Sequence, residues 1–378
     1  MIRAILLDLD NTLLKNPDMR FAQAMLAAFE QHFAIAGIAD AAVNLRRAIR
    51  AMSNHQRGNL TNRELLVSFL GDNGALIEEI FNSFYVDVYP TLRDCIEPVH
   101  GANELIFQLR DMGFQIVIAT NPIYPETSVK QRMDWAGLSL EDGLYTLVTS
   151  ADSMHFAKPD AAYYAEILGR IGLEPDEAIM VGDNLRNDIV PAQSLGLHTY
   201  NIREKPLSEL INYLNRLRKD MPLSVLRPDM IEPQLRGNMG ALYGMLDGLN
   251  PNFWHQRPDP KEWSIIQILC HLLTSEDTNE RPRLARILQE ENPFITQPKP
   301  PGPDIEVYDE NVHSVAKKIL EARQKTLDFI KALAADDWKR PARHSIFGLT
   351  TMLEMAHFTA QHDRLHLKQL CQTIGRCE

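Results

Sequence analysis

Three short apolar runs in the first half of the chain each break off into residues that carry chemistry. Ile2 to Leu7 ends in Asp8-Leu9-Asp10-Asn11-Thr12, Phe114 to Ala119 in Thr120-Asn121-Pro122, and Ala178 to Val181 in Gly182-Asp183-Asn184-Leu185-Arg186-Asn187-Asp188. Runs of this length and composition read as buried strands. Between the second and third, Lys158 stands before Pro159-Asp160, an abrupt helix start after a loop. In an open parallel sheet, polar groups at successive strand ends converge on one crevice. The pattern therefore predicts an α/β fold with a single site along one sheet edge.

The first run is the most specific. Residues i and i+2 of a strand point the same way, so an extended path through Leu9 turns Asp8 and Asp10 toward one place. Neither carboxylate belongs in an apolar core unless it is paired or bound to a metal. A turn with two solvated aspartates is the alternative for these five residues alone. Thr120 offers a hydroxyl and Asn121 an exposed backbone N–H for phosphoryl oxygens, and Thr12 is a further candidate substrate contact.

These residues resemble the haloacid dehalogenase-like hydrolase superfamily. Asp8-Leu9-Asp10-Asn11-Thr12 matches its first motif, Thr120 its second, Lys158 its third, and Gly182-Asp183 with Asp188 its fourth, over about residues 1–215. The resemblance implies a phosphoaspartyl route: Asp8 attacks phosphorus in line, and Asp10 protonates the leaving alcohol and then deprotonates the hydrolytic water. It also implies Mg²⁺ held by Asp8, the Asp10 carbonyl and Asp183, with Asp188 acting through a water or another ligand. A carboxylate and a phosphate dianion repel until a hard cation and an ammonium neutralise them, and Lys158 supplies the ammonium. Members that cleave carbon–halogen bonds lack the second aspartate, because a halide leaves without a proton, so Asp10 points to phosphate esters.

Between Leu14 and about Val99 the chain reads mainly helical, over Met19–Phe33, Ala41–Met52, Asn62–Phe69 and Ala75–Val86. Inserted after the first motif, it resembles the helical cap of one branch of the superfamily, a device that excludes water and supplies substrate contacts. His55, Arg57 and Arg63 lie in it without a pattern that marks them as site residues. The expected α/β core is a Rossmann-like parallel sheet over 1–14 and 99–218, with the cap over 15–98.

Near Arg218 the alternating pattern gives way to Lys219-Asp220-Met221-Pro222 and Arg227-Pro228-Asp229, a linker over 219–232. Over the remaining residues, 233–378, the pattern changes to long helices, over Gln234–Leu249, Ser264–Thr278, Arg283–Glu290, Ser314–Ala335 and Thr350–Gln372. A proline-rich stretch from Pro293 to Asp309 reads as extended spacer between two of them. His362 and His366, four apart, share a helical face. His357 falls about 140° from His362 around the helix, so a third ligand must come from elsewhere, and His271 is the best candidate. Three imidazoles from two helices suit Zn²⁺, Ni²⁺ or Fe²⁺ with an open position, against the alternative of histidines that are merely structural. Affinity for such a metal is expected to fall below about pH 6.5, the reference imidazole value.

This stretch resembles the DinB-like helical-bundle superfamily through Glu262-Trp263-Ser264 with His271-Leu272-Leu273-Thr274-Ser275-Glu276-Asp277, and Ala356-His357 with His362-Asp363-Arg364-Leu365-His366-Leu367-Lys368-Gln369. The resemblance implies an all-α four-helix bundle, the metal triad His271, His362 and His366, frequent assembly as homodimers and, in some members, transfer of low-molecular-weight thiol adducts.

The 378 residues include 39 basic and 50 acidic side chains, a net charge of −11 that opposes non-specific nucleic-acid binding. No run of eighteen apolar residues points to a membrane, and the chain opens into a strand without a signal peptide. Cys95, Cys270, Cys371 and Cys377 are too scattered for a disulfide framework. The expectation is a cytoplasmic hydrolase of a small phosphorylated metabolite. A phosphosugar mutase and a non-catalytic, metal-bearing interaction protein are the alternatives.

Overall fold

The computed structural model describes residues 1–55, 57–217 and 225–377, so Lys219-Asp220-Met221-Pro222 of the expected linker lies outside the described residues. The chain divides into two compact units. One comprises residues 1–56, 60–164 and 173–224, the other 57–59, 165–172 and 225–378.

The first unit opens with β1 (Ala4–Leu7), then β2 (Leu14–Lys15) and four helices: α1 (Arg20–Ile35), α2 (Ala41–Met52), α3 (Asn62–Leu70) and α4 (Gly74–Ser83). These are followed by β3 (Glu97–Pro98), α5 (Ala102–Asp111), β4 (Gln115–Ile118), α6 (Glu126–Trp135), β5 (Leu147–Val148) and α7 (Ala161–Ile171), which crosses the division between the units. Next come β6 (Ala178–Gly182), α8 (Val190–Leu195), β7 (His198–Asn201) and α9 (Leu210–Leu217). Five strands form a parallel sheet in the order β5-β4-β1-β6-β7. Its central strands are buried along their whole length, as expected of a parallel sheet covered on both faces. Leu7 pairs with both Ile118 and Val181, so Asp8, Thr120 and Asp183 leave the sheet at one edge.

The insertion is helical where the sequence pattern placed it. Phe21, Met25, Phe29 and Phe33 recur every fourth residue and form the buried stripe of α1, and Ala41, Leu45, Ala48 and Met52 that of α2. A capping box between Thr61 and Glu64 starts α3. Two features were not anticipated. The last helix continues from α4 through a π-type turn, Phe84–Val88, and the two ends of the insertion are clasped by an antiparallel pair, Leu14 with Pro98 and Lys15 with Glu97. Two-residue strands are too short to leave a periodic signal. The edge strand β5 escaped for the same reason.

The second unit holds α10 (Ile231–Leu246), α11 (Ile265–Ser275), α12 (Arg281–Gln289), β8 (Phe294–Ile295), α13 (Val312–Lys331), β9 (Pro341–His344), β10 (Gly348–Thr351) and α14 (Met352–Cys377). Helices α10 and α11 each pack on both α13 and α14, which gives a four-helix core around Leu242, Ile268, Ile319 and Leu367. The all-α expectation needs correction, because β8, β9 and β10 form a small sheet. Phe294-Ile295 of the supposed spacer is one of its strands, pairing with Arg343-His344. Helices α11 and α12 are also continuous through a π-type turn, Glu276–Glu280, where the sequence pattern suggested a break.

Candidate active site and metal centre

Asp8 follows β1 directly and is almost fully buried, with 7% of its surface exposed. Lys158 Nζ donates to Asp8 Oδ1 at 2.8 Å and to Asp188 Oδ1 at 2.6 Å, so one buried ammonium spans two carboxylates. Asp188 sits on a π-type turn, Leu185–Ile189, and its second oxygen accepts from the Asn184 backbone N–H. Carboxylate oxygens of Asp8, Asp183 and Asp188 all lie within 4.8 Å of one another. The strand ends thus bring together four of the expected residues.

Three others are placed differently. Thr12 Oγ1 is 3.3 Å from Asp8 Oδ2 and donates to it, so its hydroxyl orients the nucleophile candidate. Thr120 is buried, and its carbonyl accepts from Thr149 Oγ1 and Tyr163 Oη, which fixes the backbone of the strand end. Asn121 Oδ1 is buried and, among the described residues, has no hydrogen-bond partner.

Asp10 turns to Arg132, whose guanidinium donates to Oδ1. Arg132 is completely buried and lies over the rings of Phe21 and Tyr124, with its Nε and Nη1 unpaired among the described residues. Burial lowers its pKa to about 10, against the pull of Asp8. Sequence reading missed this residue because it is one basic side chain on the polar-looking helix α6. It also missed Arg203, which forks onto Asp183 Oδ2 at 2.6 and 3.2 Å but is itself largely exposed.

Burial pushes the Asp8 carboxyl up to about 6; Lys158 pulls it down, while Asp188 and Asp183 push it further up. Lys158 is driven the opposite way by burial, but Asp8, Tyr164 and Asp188 outweigh this and hold it firmly protonated. Three carboxylates thus face one buried ammonium and one exposed guanidinium. Such an excess of oxygen anions fits a hard divalent cation of the Mg²⁺ type.

In the second unit, a capping box of Ser264 with Gln267 starts α11, and His271 lies two turns on. His362 and His366 meet it from α14, with ligating nitrogens of all three within 4.8 Å. Ring centroids are 4.6 Å apart for His271–His366 and His362–His366 and 5.4 Å for His271–His362. Gln369 Oε1 is 2.9 Å from His366 Nδ1, which assigns the proton to that nitrogen and leaves Nε2 as a donor pair for a metal. Burial, then His366, lowers the His271 pKa to about 4, and burial, then His366 and His271, lowers that of His362 to about 2. Three neutral nitrogens from two helices match the donor set of a borderline divalent metal. His357 is not part of this cluster.

Residues 2–196 match the family model of haloacid dehalogenase-like hydrolases, and residues 234–370 that of the DinB superfamily. Glyceraldehyde 3-phosphate phosphatase of Methanopyrus kandleri is 26% identical over 215 residues, 54% of this chain and 84% of that protein. Pyrophosphatase PpaX of Bacillus cereus is 28% identical over 125 residues, 32% of this chain and only about half (54%) of that protein. The structure of YfiT from Bacillus subtilis, described as a probable metal-dependent hydrolase with an unusual four-helix bundle topology, is 16% identical. Its TM-score is 0.32, and the alignment covers 41% of this chain and 94% of that one.

Proposed function

This chain belongs to the haloacid dehalogenase-like hydrolase family, and we propose that it hydrolyses a small phosphomonoester through a phosphoaspartyl intermediate on Asp8. The observation that carries this reading is the buried ammonium of Lys158 held between Asp8 and Asp188 with Asp183 alongside. Scaffolding alone gives no reason to bury three carboxylates together.

Asp8 Oδ attacks phosphorus as the bond to the leaving oxygen breaks, and Asp10 delivers its proton to that oxygen. Asp10 then takes a proton from the water that attacks the phosphoaspartate, which frees phosphate and restores both carboxyl groups. Lys158 neutralises the approaching phosphoryl group, and the backbone at Thr120 and Asn121 holds its oxygens. Asp8, the Asp10 carbonyl and Asp183, with Asp188 behind them, would hold Mg²⁺, whose charge lowers the repulsion between carboxylate and phosphate dianion. Arg132 holds the Asp10 carboxylate in place between these two proton transfers.

A cap clasped at its neck by the Leu14–Pro98 pair favours a small metabolite over a macromolecule. Both phosphatase relatives act, by their names, on small molecules. Four free thiols suit the reducing cytoplasm. In the second unit we assign His271, His362 and His366 to a divalent transition metal such as Zn²⁺, Ni²⁺ or Fe²⁺. Phosphate release from a panel of phosphosugars, nucleotides and phosphopeptides, with Mg²⁺ and with EDTA, tests the first assignment. The expected result is Mg²⁺-dependent turnover of a small substrate that Asp8→Asn abolishes; near-native turnover by that variant refutes it.

A further inference from the structure

A cavity of about 580 Å³ opens beside the histidine triad in the second unit. His271, His362 and His366 form part of its wall, and Glu280 and Arg283 another part. Glu280 belongs to the π-type turn that joins α11 to α12, a distortion frequently found at functional sites. Arg283 is 93% buried by its 7% exposure and donates through Nη2 to Glu280, the Met355 carbonyl and Thr359 Oγ1. Its Nε finds no hydrogen-bond partner among the described residues. The proline-rich stretch expected to be a mere spacer supplies the roof, through Pro298, Lys299 and Pro300.

The remaining wall is apolar. Trp263 stacks on His366 with ring planes 19° apart, and Phe358 lies under the Arg283 guanidinium at 4.8 Å. At the mouth, Ile346 and Leu365 are 67% and 63% exposed. Exposed apolar residues around a cavity with buried polar groups at its base describe a ligand site.

Charge selects the head group. Glu280 and Arg283 neutralise one another, which leaves Lys299, and the charge that a metal on the triad would add, uncompensated. An anion is therefore favoured. His271, His362 and His366 would hold the metal, whose charge would attract a carboxylate, and Arg283 adds a guanidinium to the same wall. We infer that this cavity binds a small carboxylic acid with an aliphatic or aromatic body, its carboxylate toward the triad and Arg283 and its body along Trp263, Phe358 and Ile346. The metal-facing part of this inference rests on the proposed metal site.

Calorimetric titration of the untagged full chain, Zn²⁺-loaded and EDTA-stripped, with hexanoate, acetate, hexanol and hexanethiol tests it. Each buried methylene should tighten binding roughly fourfold, so hexanoate should bind on the order of 10²-fold more tightly than acetate. Hexanol should bind more weakly than hexanoate, and Ile346→Ser, at an exposed position, should weaken hexanoate but not acetate. Equal affinities for hexanoate and acetate, or no effect of Ile346→Ser, would overturn the assignment, and tighter binding of hexanethiol than hexanoate would overturn the carboxylate class. Stoichiometric Zn²⁺ without chain-length selectivity refutes the cavity and leaves the metal site standing. Selectivity that persists in a protein unable to hold Zn²⁺ does the reverse.

Discussion

Replacing Asp8 by Asn is expected to abolish turnover and at the same time to stabilise the N-terminal unit. The folded protein raises this carboxyl from 3.8 to about 6, with burial the largest cause. The folded state therefore binds the proton more tightly than the unfolded chain does. The resulting destabilisation sets in as pH rises through 3.8 and is complete above about 6, where it reaches about 3 kcal/mol. At pH 5 only about half of it is present. Asn removes the charge but keeps an oxygen that can accept from Lys158 Nζ, so most of this energy should be recovered. For a unit of this size, that corresponds to a rise in melting temperature of roughly 6–12 °C at pH 7.5. The assay is thermal unfolding in EDTA, resolved by hydrogen exchange on peptides covering β1 and β6 because the two units need not melt together. An Asp8→Asn protein no more stable than wild type at pH 7.5, or a gain as large at pH 5, would refute the reasoning. Added Mg²⁺ should shrink the difference, since a bound cation relieves the same repulsion in the wild type.

Asp10→Asn should lose a factor of roughly 10²–10⁴ on an alkyl phosphate and much less on an aryl phosphate, whose leaving group needs little protonation; equal losses measured by phosphate release would make Asp10 structural. Arg132→Met should lower kcat on the order of 10²-fold through misplacement of Asp10 without lowering the melting temperature, because Met fills much of the same buried volume and leaves no unpaired N–H; normal kcat would remove Arg132 from the account. In the second unit, His362→Ala should lose the metal found by elemental analysis of untagged protein. Because burial lowers all three imidazoles, His271 to about 4 and His362 to about 2, protons should displace that metal only below the 6.5 expected of free imidazoles; release with a midpoint at or above 6.5 would contradict the buried triad.

Residues at strand ends were legible in sequence because an apolar run that stops at a carboxylate or lysine leaves few places for that side chain to go. Asp8, Lys158, Asp183 and Asp188 meet as their positions implied. The i,i+4 pair His362–His366 fixed a helical face in the same way, and the need for a ligand from another helix led to His271. Arg132 was not legible, since its partner lies 122 residues away and only the packing of α6 brings it there. Thr12 was legible as a candidate contact, but its bond to Asp8 was not, because the local turn that makes it does not show in spacing. The sheet of β8, β9 and β10 and the clasp of β2 with β3 depend on pairing between segments too short to show a period. The roof over the triad cavity was misread for a related reason: proline-rich sequence specifies an extended path but not what the path covers.

The most direct test of the phosphoaspartyl account is mass spectrometry of acid-quenched protein during turnover of whichever small phosphomonoester is cleaved, comparing wild type with Asp10→Asn. The account predicts one phosphoryl group on the peptide containing Asp8, with a larger occupied fraction in Asp10→Asn, where the base that activates the hydrolytic water is missing. Phosphate release with Asp8 unmodified throughout, or a phosphoryl group carried by another residue, would contradict it.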